Sequence, residues 1–228
     1  MLAPRRPRGL ARERCAWHPP CAMCDLHALP ALPHDEYVLD TPPVRHLVAR
    51  TQAAIAAAPD AVRACEALRP AFTELLADRT WLPGRFQEPV PDSGMGGGIG
   101  QWLLYRAADR SLCLFSLVVP PGSHTPIHDH LAWGLVGLYR GNQDEEFYAP
   151  GEGTIACTRR RPLVPGDHYV LMPPLDDVHR VRTTSAQTSV SIHLLAADAG
   201  CITRHTFDEH SGAAAPFVSG YANAPCAA

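Results

Sequence analysis

The hydrophobic repeat of this chain changes once, and that change limits the folds it can adopt. Between residues 41 and 78 apolar residues recur every three or four positions, which is typical of amphipathic helices. The glycine-rich stretch PVPDSGMGGGIG follows at residues 89–100, and beyond it apolar and polar residues alternate in short runs separated by Gly and Pro. Helices followed by closely spaced strands indicate an antiparallel sandwich or barrel rather than a parallel α/β sheet.

Local signals predict the individual elements. Pro42 and Pro43 mark the start of one helix, and the pair Pro59 and Asp60 opens a second, in which Pro70 is expected to cause a kink. We therefore expect a mainly β fold preceded by two α-helices. The alternating runs predict strands at about 101–106, 111–120, 126–139, 142–149, 154–158, 168–173, 178–183, 188–196 and 201–208.

The first 35 residues show neither the three- to four-residue spacing of a helix nor the alternation of a strand, and they are rich in Pro and Arg. Residues 1–35 are therefore interpreted as a disordered arm. The rest divides into a helical preface at 36–80, a barrel at 81–210 and a C-terminal tail at 211–228. A gene start at Met23 and a transit-like leader are other interpretations of the arm. A small zinc site is a further alternative, because these residues have zinc-like spacing: Cys15, His18, Cys21, Cys24 and His27.

Charge and hydropathy exclude several classes of partner. The 20 basic residues, all Arg, nearly balance 23 acidic ones, so neither nucleic acid nor an anionic membrane is the expected partner. No apolar run approaches the roughly 18 to 20 residues of a spanning helix, and the N-terminus lacks the apolar core of a secretory signal. We expect a soluble, cytoplasmic protein in which the thiols from Cys65 onward are reduced.

The segment PIHDHLAWG at residues 126–134 carries the strongest chemical signal. Alternate side chains on a strand share a face, so His128 and His130 are expected to point the same way, with Asp129 opposite. His179 on a later strand is the candidate third partner. Three neutral imidazoles without a thiolate or carboxylate suit Fe(II), Zn(II), Ni(II) or Cu(II) and leave coordination positions open for chemistry. Polar groups satisfied within the core are the alternative interpretation.

Two motifs around these histidines resemble those of the cupins. Gly122, His128-x-His130, Gly134 and Gly141 have the spacing of the first motif, with Gly134 where most cupins carry a metal-binding Glu. The stretch from Pro174 to His179 is similar to the second motif. The resemblance implies a cupin double-stranded β-helix, which is a jelly-roll barrel, over roughly residues 80–208.

A cupin with three histidines and no Glu resembles the thiol dioxygenases, the family of cysteine dioxygenase and 3-mercaptopropionate dioxygenase. HRV at 179–181, SVSIHL at 189–194 and AGCITRHTF at 199–207 match the family in order. The resemblance implies that Fe(2+) bound by His128, His130 and His179 supports addition of both atoms of O2 to the sulfur of a small thiol carboxylic acid. The product of that reaction is a sulfinate.

The resemblance also implies a cation for the substrate carboxylate. Arg204, eleven residues after His193, lies where the bacterial mercaptopropionate-type enzymes carry theirs, and its planar fork can pair with a carboxylate. The position at which cysteine dioxygenases carry their Arg holds Trp102. The chain is therefore more similar to the mercaptopropionate-type branch.

One family feature is altered. The Ser-His-Tyr relay reads Ser191, His193 and Leu195, so the hydroxyl nearest the iron is lost. His193 and Ser191 are expected to orient water or substrate, and Leu195 is expected to leave room for a larger thiol acid such as mercaptosuccinate. The opposite face of this strand, with Val190, Ile192 and Leu194, is expected to pack under the two helices. Trp133 is a candidate wall of the substrate pocket, with core packing as the alternative.

Two other classes of function stay open at this point. The first is a cupin enzyme that cleaves or isomerises a small carboxylate, which Leu195 permits. The second is a non-catalytic metal-binding cupin. The sequence does not choose among 3-mercaptopropionate, cysteine and mercaptosuccinate as the thiol, and it leaves the oligomeric state open.

Overall fold

The computed structural model describes residues 29–226. Helix α1 spans Pro42–Ala57 and helix α2 spans Ala61–Ala77, with a 3-10 turn at Gly84–Gln87. Both predicted helices are confirmed, and α2 continues through Pro70. The strands are β1 (Glu36–Tyr37), β2 (Gly100–Arg106), β3 (Cys113–Val119), β4 (Ile127–His128), β5 (Gly134–Arg140), β6 (Gln143–Gly151), β7 (Thr154–Leu163), β8 (His168–Leu171), β9 (His179–Thr183), β10 (Ser189–Leu195), β11 (Arg204–Phe207) and β12 (Ala214–Phe217).

The strands form two six-stranded antiparallel sheets. Their orders are β1-β2-β3-β10-β5-β8 and β12-β11-β4-β9-β6-β7. The eight strands from β3 to β10 therefore contribute β3-β10-β5-β8 to one sheet and β4-β9-β6-β7 to the other. This order is that of a jelly roll, the double-stranded β-helix found in cupins. The predicted fold class, mainly β with two preceding helices, is confirmed.

The two helices cover the outer face of the first sheet. Val190, Ile192 and Leu194 alternate along β10 and belong to the same buried apolar cluster as Leu47 of α1 and Phe72 of α2. Because side chains alternate across a strand, the residues between them on β10 face the interior of the barrel. The expected packing of this strand under the helices is thus confirmed, and it turns the polar face of β10 inward.

The run predicted as one strand at 126–139 is interrupted, so that prediction was wrong. Strand β4 ends at His128, and β5 begins only at Gly134. Between them Leu131 has a left-handed backbone with φ of 53°. The carboxylate of Asp177 accepts hydrogen bonds from the backbone N–H groups of His130 (3.0 Å) and Leu131 (3.2 Å). A side chain from a distant loop thus replaces the sheet partners of this segment, which local periodicity does not reveal.

The C-terminal residues follow β12 back along the edge of the first sheet. Strand β12 pairs with β11, and the chain then passes Leu103 of β2, whose backbone N–H and C=O both bond the Asn223 amide at 2.9 Å. The N–H of Ala222 donates to the Gln101 carbonyl at 2.8 Å. We call residues 217–226 the C-terminal strap. These three hydrogen bonds, two through the Asn223 side chain and one between backbone groups, fix the strap to the barrel.

A disulfide closes this strap onto the barrel. Cys201 and Cys226 are bonded, with their Cα atoms 5.1 Å apart. The expectation that the thiols from Cys65 onward are all reduced was therefore wrong for this pair. That expectation was based on the residues next to each cysteine in sequence. The pair forms because the chain comes back to Cys201 at Cys226, 25 residues later. Cys65, Cys113 and Cys157 are free.

Two further expectations concern a zinc site near the N-terminus and a membrane-spanning helix. The five Cys and His residues with zinc-like spacing, from Cys15 to His27, lie outside the described residues. Neither of the described α-helices combines the length and the apolar character that crossing a bilayer requires.

Candidate metal centre

The three histidines of the two motifs meet inside the barrel. One ligand atom from each of His128, His130 and His179 lies within 4.8 Å of the others. His128 ends β4 and is the register partner of His179 on β9, while His130 reaches the same point from the interrupted segment. All three side chains are buried. The fold therefore brings together His128 and His130 with His179, which lies 51 and 49 positions further along the chain, as a group that could hold a metal ion.

Close polar contacts at Nδ1 position two of the three rings. The Nδ1 atom of His128 lies 2.9 Å from the carbonyl oxygen of Pro126 and donates its proton to it. The Nδ1 atom of His179 lies 2.8 Å from Oε2 of Glu145, and its Nε2 atom has no hydrogen-bond partner. A proton on Nδ1 leaves the Nε2 lone pair free for a metal.

The protonation states also suit a metal. Burial lowers the pKa of His128 and His130 well below the usual value, and the positive charges of neighbouring histidines and of Arg204 lower it further. Neutral imidazoles are the form that binds metals. Three imidazole side chains, with the buried Nε2 of His179 left without a partner, fit a divalent transition metal with open coordination positions. The donor set does not choose among iron, zinc, nickel and copper.

His193 lies on the inner face of β10, beside this group. Its Nε2 atom is 3.0 Å from the hydroxyl of Ser191, and its buried Nδ1 atom has no partner. The ring stacks on Phe115, with centroids 4.6 Å apart, and lies 6.4 Å from the ring of His130. Ser191 thus orients His193, and the free Nδ1 is available to a molecule bound near the three histidines.

Arg204 is a buried cation next to the histidines. Its guanidinium donates to the carbonyl oxygens of Asp129 (2.7 Å) and Ala199 (3.0 Å) and to the hydroxyl of Ser219 (2.7 Å). No carboxylate of the described chain lies within 4.0 Å of it, and burial lowers its pKa below the usual value. A guanidinium has five N–H groups, so two remain for an added ligand. The site therefore contains positive charge that no acidic side chain pairs.

Two other arginines of the barrel strands, Arg106 and Arg182, differ from Arg204. Arg106 already pairs with Glu36 at 2.6 Å and lies 3.6 Å from Asp198. Arg182 is over a third exposed and lies 4.0 Å from Glu146. Of these cations, Arg204 is thus the one without a carboxylate partner.

Leu195 and Trp133 occupy two different cores. Leu195 is fully buried in the apolar cluster that includes Cys113 and Phe115, and Tyr221 of the C-terminal strap packs against this cluster. Trp133 instead belongs to the cluster under the helices, where it lies beside Cys65. This placement argues against the expected contact of Trp133 with a substrate and favours the core-packing alternative.

Several residues around the centre were missed by the sequence reasoning. Glu145 and Tyr169 lie behind His179, and Asp177 holds the backbone of His130. From the C-terminal strap, Ser219 bonds Arg204, and the hydroxyl of Tyr221 donates to Asp198 at 2.8 Å. The sequence signal for Glu145 was weak, because Asp144 and Glu146 on either side of it are also acidic.

Comparison with known proteins finds no family model that matches this chain. The chain is similar to an uncharacterized protein with a double-stranded β-helix domain from Klebsiella pneumoniae, at 13% identity over 61% of this chain and 96% of that one, with a TM-score of 0.39. It is also similar to a cupin 2 domain-containing protein from Halorhodospira halophila, at 19% identity over 39% of this chain and a TM-score of 0.30. The chain spans about half, 53%, of that protein.

A third similar structure is peruvianin-I, a cysteine peptidase from Thevetia peruviana latex, at 19% identity over 54% of this chain and 74% of that one, with a TM-score of 0.40. These likenesses concern the fold alone. The strand order shows that the protein is a jelly-roll barrel, and it contains a group of three buried histidines that could hold a metal ion.

Proposed function

We propose that this protein is a non-haem Fe(II) dioxygenase that oxidises the thiol of a small thiol carboxylic acid to a sulfinate. The observation that carries the proposal is the position of Arg204, a buried cation without a carboxylate partner, beside three histidines that could hold a metal. A substrate with a carboxylate at one end and a thiol at the other satisfies both groups. The overall reaction balances as R–SH plus O2 giving R–SO2H.

The residues of the chain supply position and charge. His128, His130 and His179 hold Fe(II), which, when bound, favours the thiolate form of the substrate and brings it next to dioxygen. Arg204 binds the substrate carboxylate through the N–H groups that the protein leaves free. Fixing both ends of a short molecule converts an encounter between two small reactants into a reaction within one site.

His193 provides a further polar contact beside the three histidines, with its ring 6.4 Å from that of His130. Burial lowers the pKa of His193 well below the usual value, and the neighbouring His130, His179 and Arg204 lower it further. The ring is therefore neutral at neutral pH. Ser191 holds its Nε2 atom, which leaves Nδ1 to bond the substrate or a water molecule. We assign His193 to orienting the substrate and Ser191 to orienting His193.

Leu195 bears on which thiol is used. It is apolar where the family relay carries a hydroxyl, and an apolar wall discriminates weakly by size, whereas a hydroxyl discriminates strongly. We propose a larger thiol acid, such as mercaptosuccinate, rather than 3-mercaptopropionate. The same residue favours one alternative function, a metal-dependent cleavage or isomerisation of a small carboxylate, because such a reaction needs no donor at this position.

Oxygen uptake by the iron-loaded protein tests the proposal. Anaerobically loaded protein is given 3-mercaptopropionate, cysteine or mercaptosuccinate in an oxygen electrode, and sulfinate is measured by mass spectrometry. We expect oxygen consumed and sulfinate formed in equal amounts for at least one thiol, and no uptake with the corresponding hydroxy acids.

The matched control is His179→Gln, which is similar in size to the wild-type residue and removes one proposed metal ligand; its folding is checked by circular dichroism. Uptake that persists in this variant would show that the reaction occurs elsewhere or is not enzymatic. Iron-loaded protein that consumes no oxygen with any thiol, yet transforms a small carboxylate anaerobically, would replace the proposal with the alternative function.

A further inference from the structure

An acidic side chain lies behind the candidate metal centre. Glu145 on β6 is fully buried, and its Oε2 atom is 2.8 Å from Nδ1 of His179, which is fully buried as well. The two nitrogens of an imidazole lie on opposite sides of the ring. Glu145 therefore contacts Nδ1 of His179, while the buried Nε2 atom of the same ring has no hydrogen-bond partner.

The electrostatic setting of Glu145 differs from that of its neighbour in sequence. Glu146 pairs with Arg180 at 2.7 Å and with Arg160 at 3.2 Å. Within residues 29–226, His179 is the only group able to carry a positive charge within 4.0 Å of the Glu145 carboxylate. Apart from the close approach of Oε2 to His179, neither oxygen of Glu145 has a hydrogen-bond partner among these residues. Burying a carboxylate so incompletely paired is costly, and this cost calls for a compensating cation.

Tyr169 completes the group. Its hydroxyl lies 3.3 Å from Nδ1 of His179, and β8 holds the ring edge-on against Phe147, with centroids 5.8 Å apart. A phenol is never positively charged in water, so Tyr169 cannot supply the missing positive charge.

We infer that Glu145 is a positioning residue for the metal: it accepts the Nδ1 proton of His179, aims Nε2 at the cluster and offsets the charge of a bound divalent cation. Carboxylates that bond the outer nitrogen of a metal-binding histidine strengthen metal binding, typically by about 10- to 100-fold. The inference rests on the metal site of the proposed function. It does not require thiol oxidation.

Metal affinity, measured without thiol or oxygen, tests this role. Metal-free wild type, Glu145→Gln and Glu145→Leu are titrated with Co(II) against a chelator under anaerobic conditions. We expect the Gln variant, which keeps the shape but loses the charge, to bind cobalt about 10- to 100-fold more weakly, and the Leu variant to bind more weakly still. Asp144→Asn, a loss of charge at the half-buried position before it, is the control and should bind like wild type.

Thermal unfolding of the metal-free proteins separates positioning from a structural role. A positioning residue predicts an unchanged or raised unfolding temperature for Glu145→Gln, because a buried charge is removed. Equal cobalt affinity in wild type and Glu145→Gln, with a lower unfolding temperature in the variant, would show that Glu145 is only structural. A wild type that binds no cobalt would overturn the metal site as well, whereas failed thiol oxidation alone would leave this inference standing.

Discussion

Replacing Arg204 tests how the proposed site recognises its substrate. Arg204→Ala removes the guanidinium, and Arg204→Lys keeps a positive charge but not the planar fork. Both substitutions also remove hydrogen bonds to the Asp129 and Ala199 carbonyls and to the Ser219 hydroxyl. The variants must therefore be compared by a readout that depends on the substrate carboxylate and not only on the integrity of the fold.

The expected magnitude follows from the burial of Arg204, whose side chain is 2% exposed. Removing one partner of a buried, hydrogen-bonded charge pair costs about 2–5 kcal/mol. At about 1.4 kcal/mol per factor of ten, kcat/KM for a thiol acid should fall by about 30- to 5,000-fold in Arg204→Ala, mainly through KM. Arg204→Lys should recover part of this loss. The three acceptors left without a donor each lower the stability of the Ala variant by about 1–3 kcal/mol.

The assay compares a thiol with and without a carboxylate. Wild type should prefer 3-mercaptopropionate or mercaptosuccinate over cysteamine, and Arg204→Ala should remove most of that preference. Ser219→Ala is the structural control, because it loses one bond to Arg204 and retains the cation; it should keep the preference. If Arg204→Ala leaves kcat/KM for thiol acids unchanged, or lowers the values for cysteamine and thiol acids by the same factor, Arg204 does not bind the carboxylate.

Three other predictions concern stability and specificity. A Cβ atom on Gly134 would overlap the Leu194 carbonyl oxygen, so Gly134→Ala should destabilise the fold by about 3 kcal/mol or more in denaturant titrations. The control is Gly84→Ala, whose added Cβ atom meets nothing within 4 Å, and equal stability of the two variants would contradict the clash. Leu195→Tyr overpacks a fully buried position, so stability should fall by about 1–3 kcal/mol while kcat/KM shifts toward 3-mercaptopropionate; an unchanged ranking of thiols would refute the pocket argument. In metal-free protein, burial lowers the pKa of His128, His130 and His193, so the unfolded state binds more protons below its own pKa of about 6.5. The free energy of unfolding should therefore be constant above that pH and fall below it, by up to about 4 kcal/mol per pH unit. An unfolding free energy that does not change between about pH 7.5 and 6 would contradict the burial of neutral rings.

The elements set by local patterns could be predicted from the sequence. The helices at Pro42–Ala57 and Ala61–Ala77 follow from their three- and four-residue spacing, and the alternation on Ser189–Leu195 correctly predicted which face packs under them. The jelly roll followed from the number and spacing of the strands together with the motifs. Periodicity is a property of neighbouring residues, and it survives in the fold wherever a helix or strand has one buried face.

Features that depend on distant contacts could not be predicted. The break after His128 is held by Asp177, a side chain from another loop. The proximity of the His130 ring to the other two thus arises from a turn and not from the strand alternation used to predict it. Glu145 and the C-terminal strap were missed for the same reason, since neither carries a local signal of what it contacts.

The central claim is that His128, His130 and His179 together hold one metal ion. The most direct measurement is the iron content of wild type and of the three single His→Ala variants, each loaded anaerobically with Fe(II), freed of excess metal and checked for folding by circular dichroism. We expect about one iron ion per chain in wild type and a small fraction of that in each folded variant. If all three variants fold and keep a full equivalent of iron, the metal is bound elsewhere and the account is contradicted.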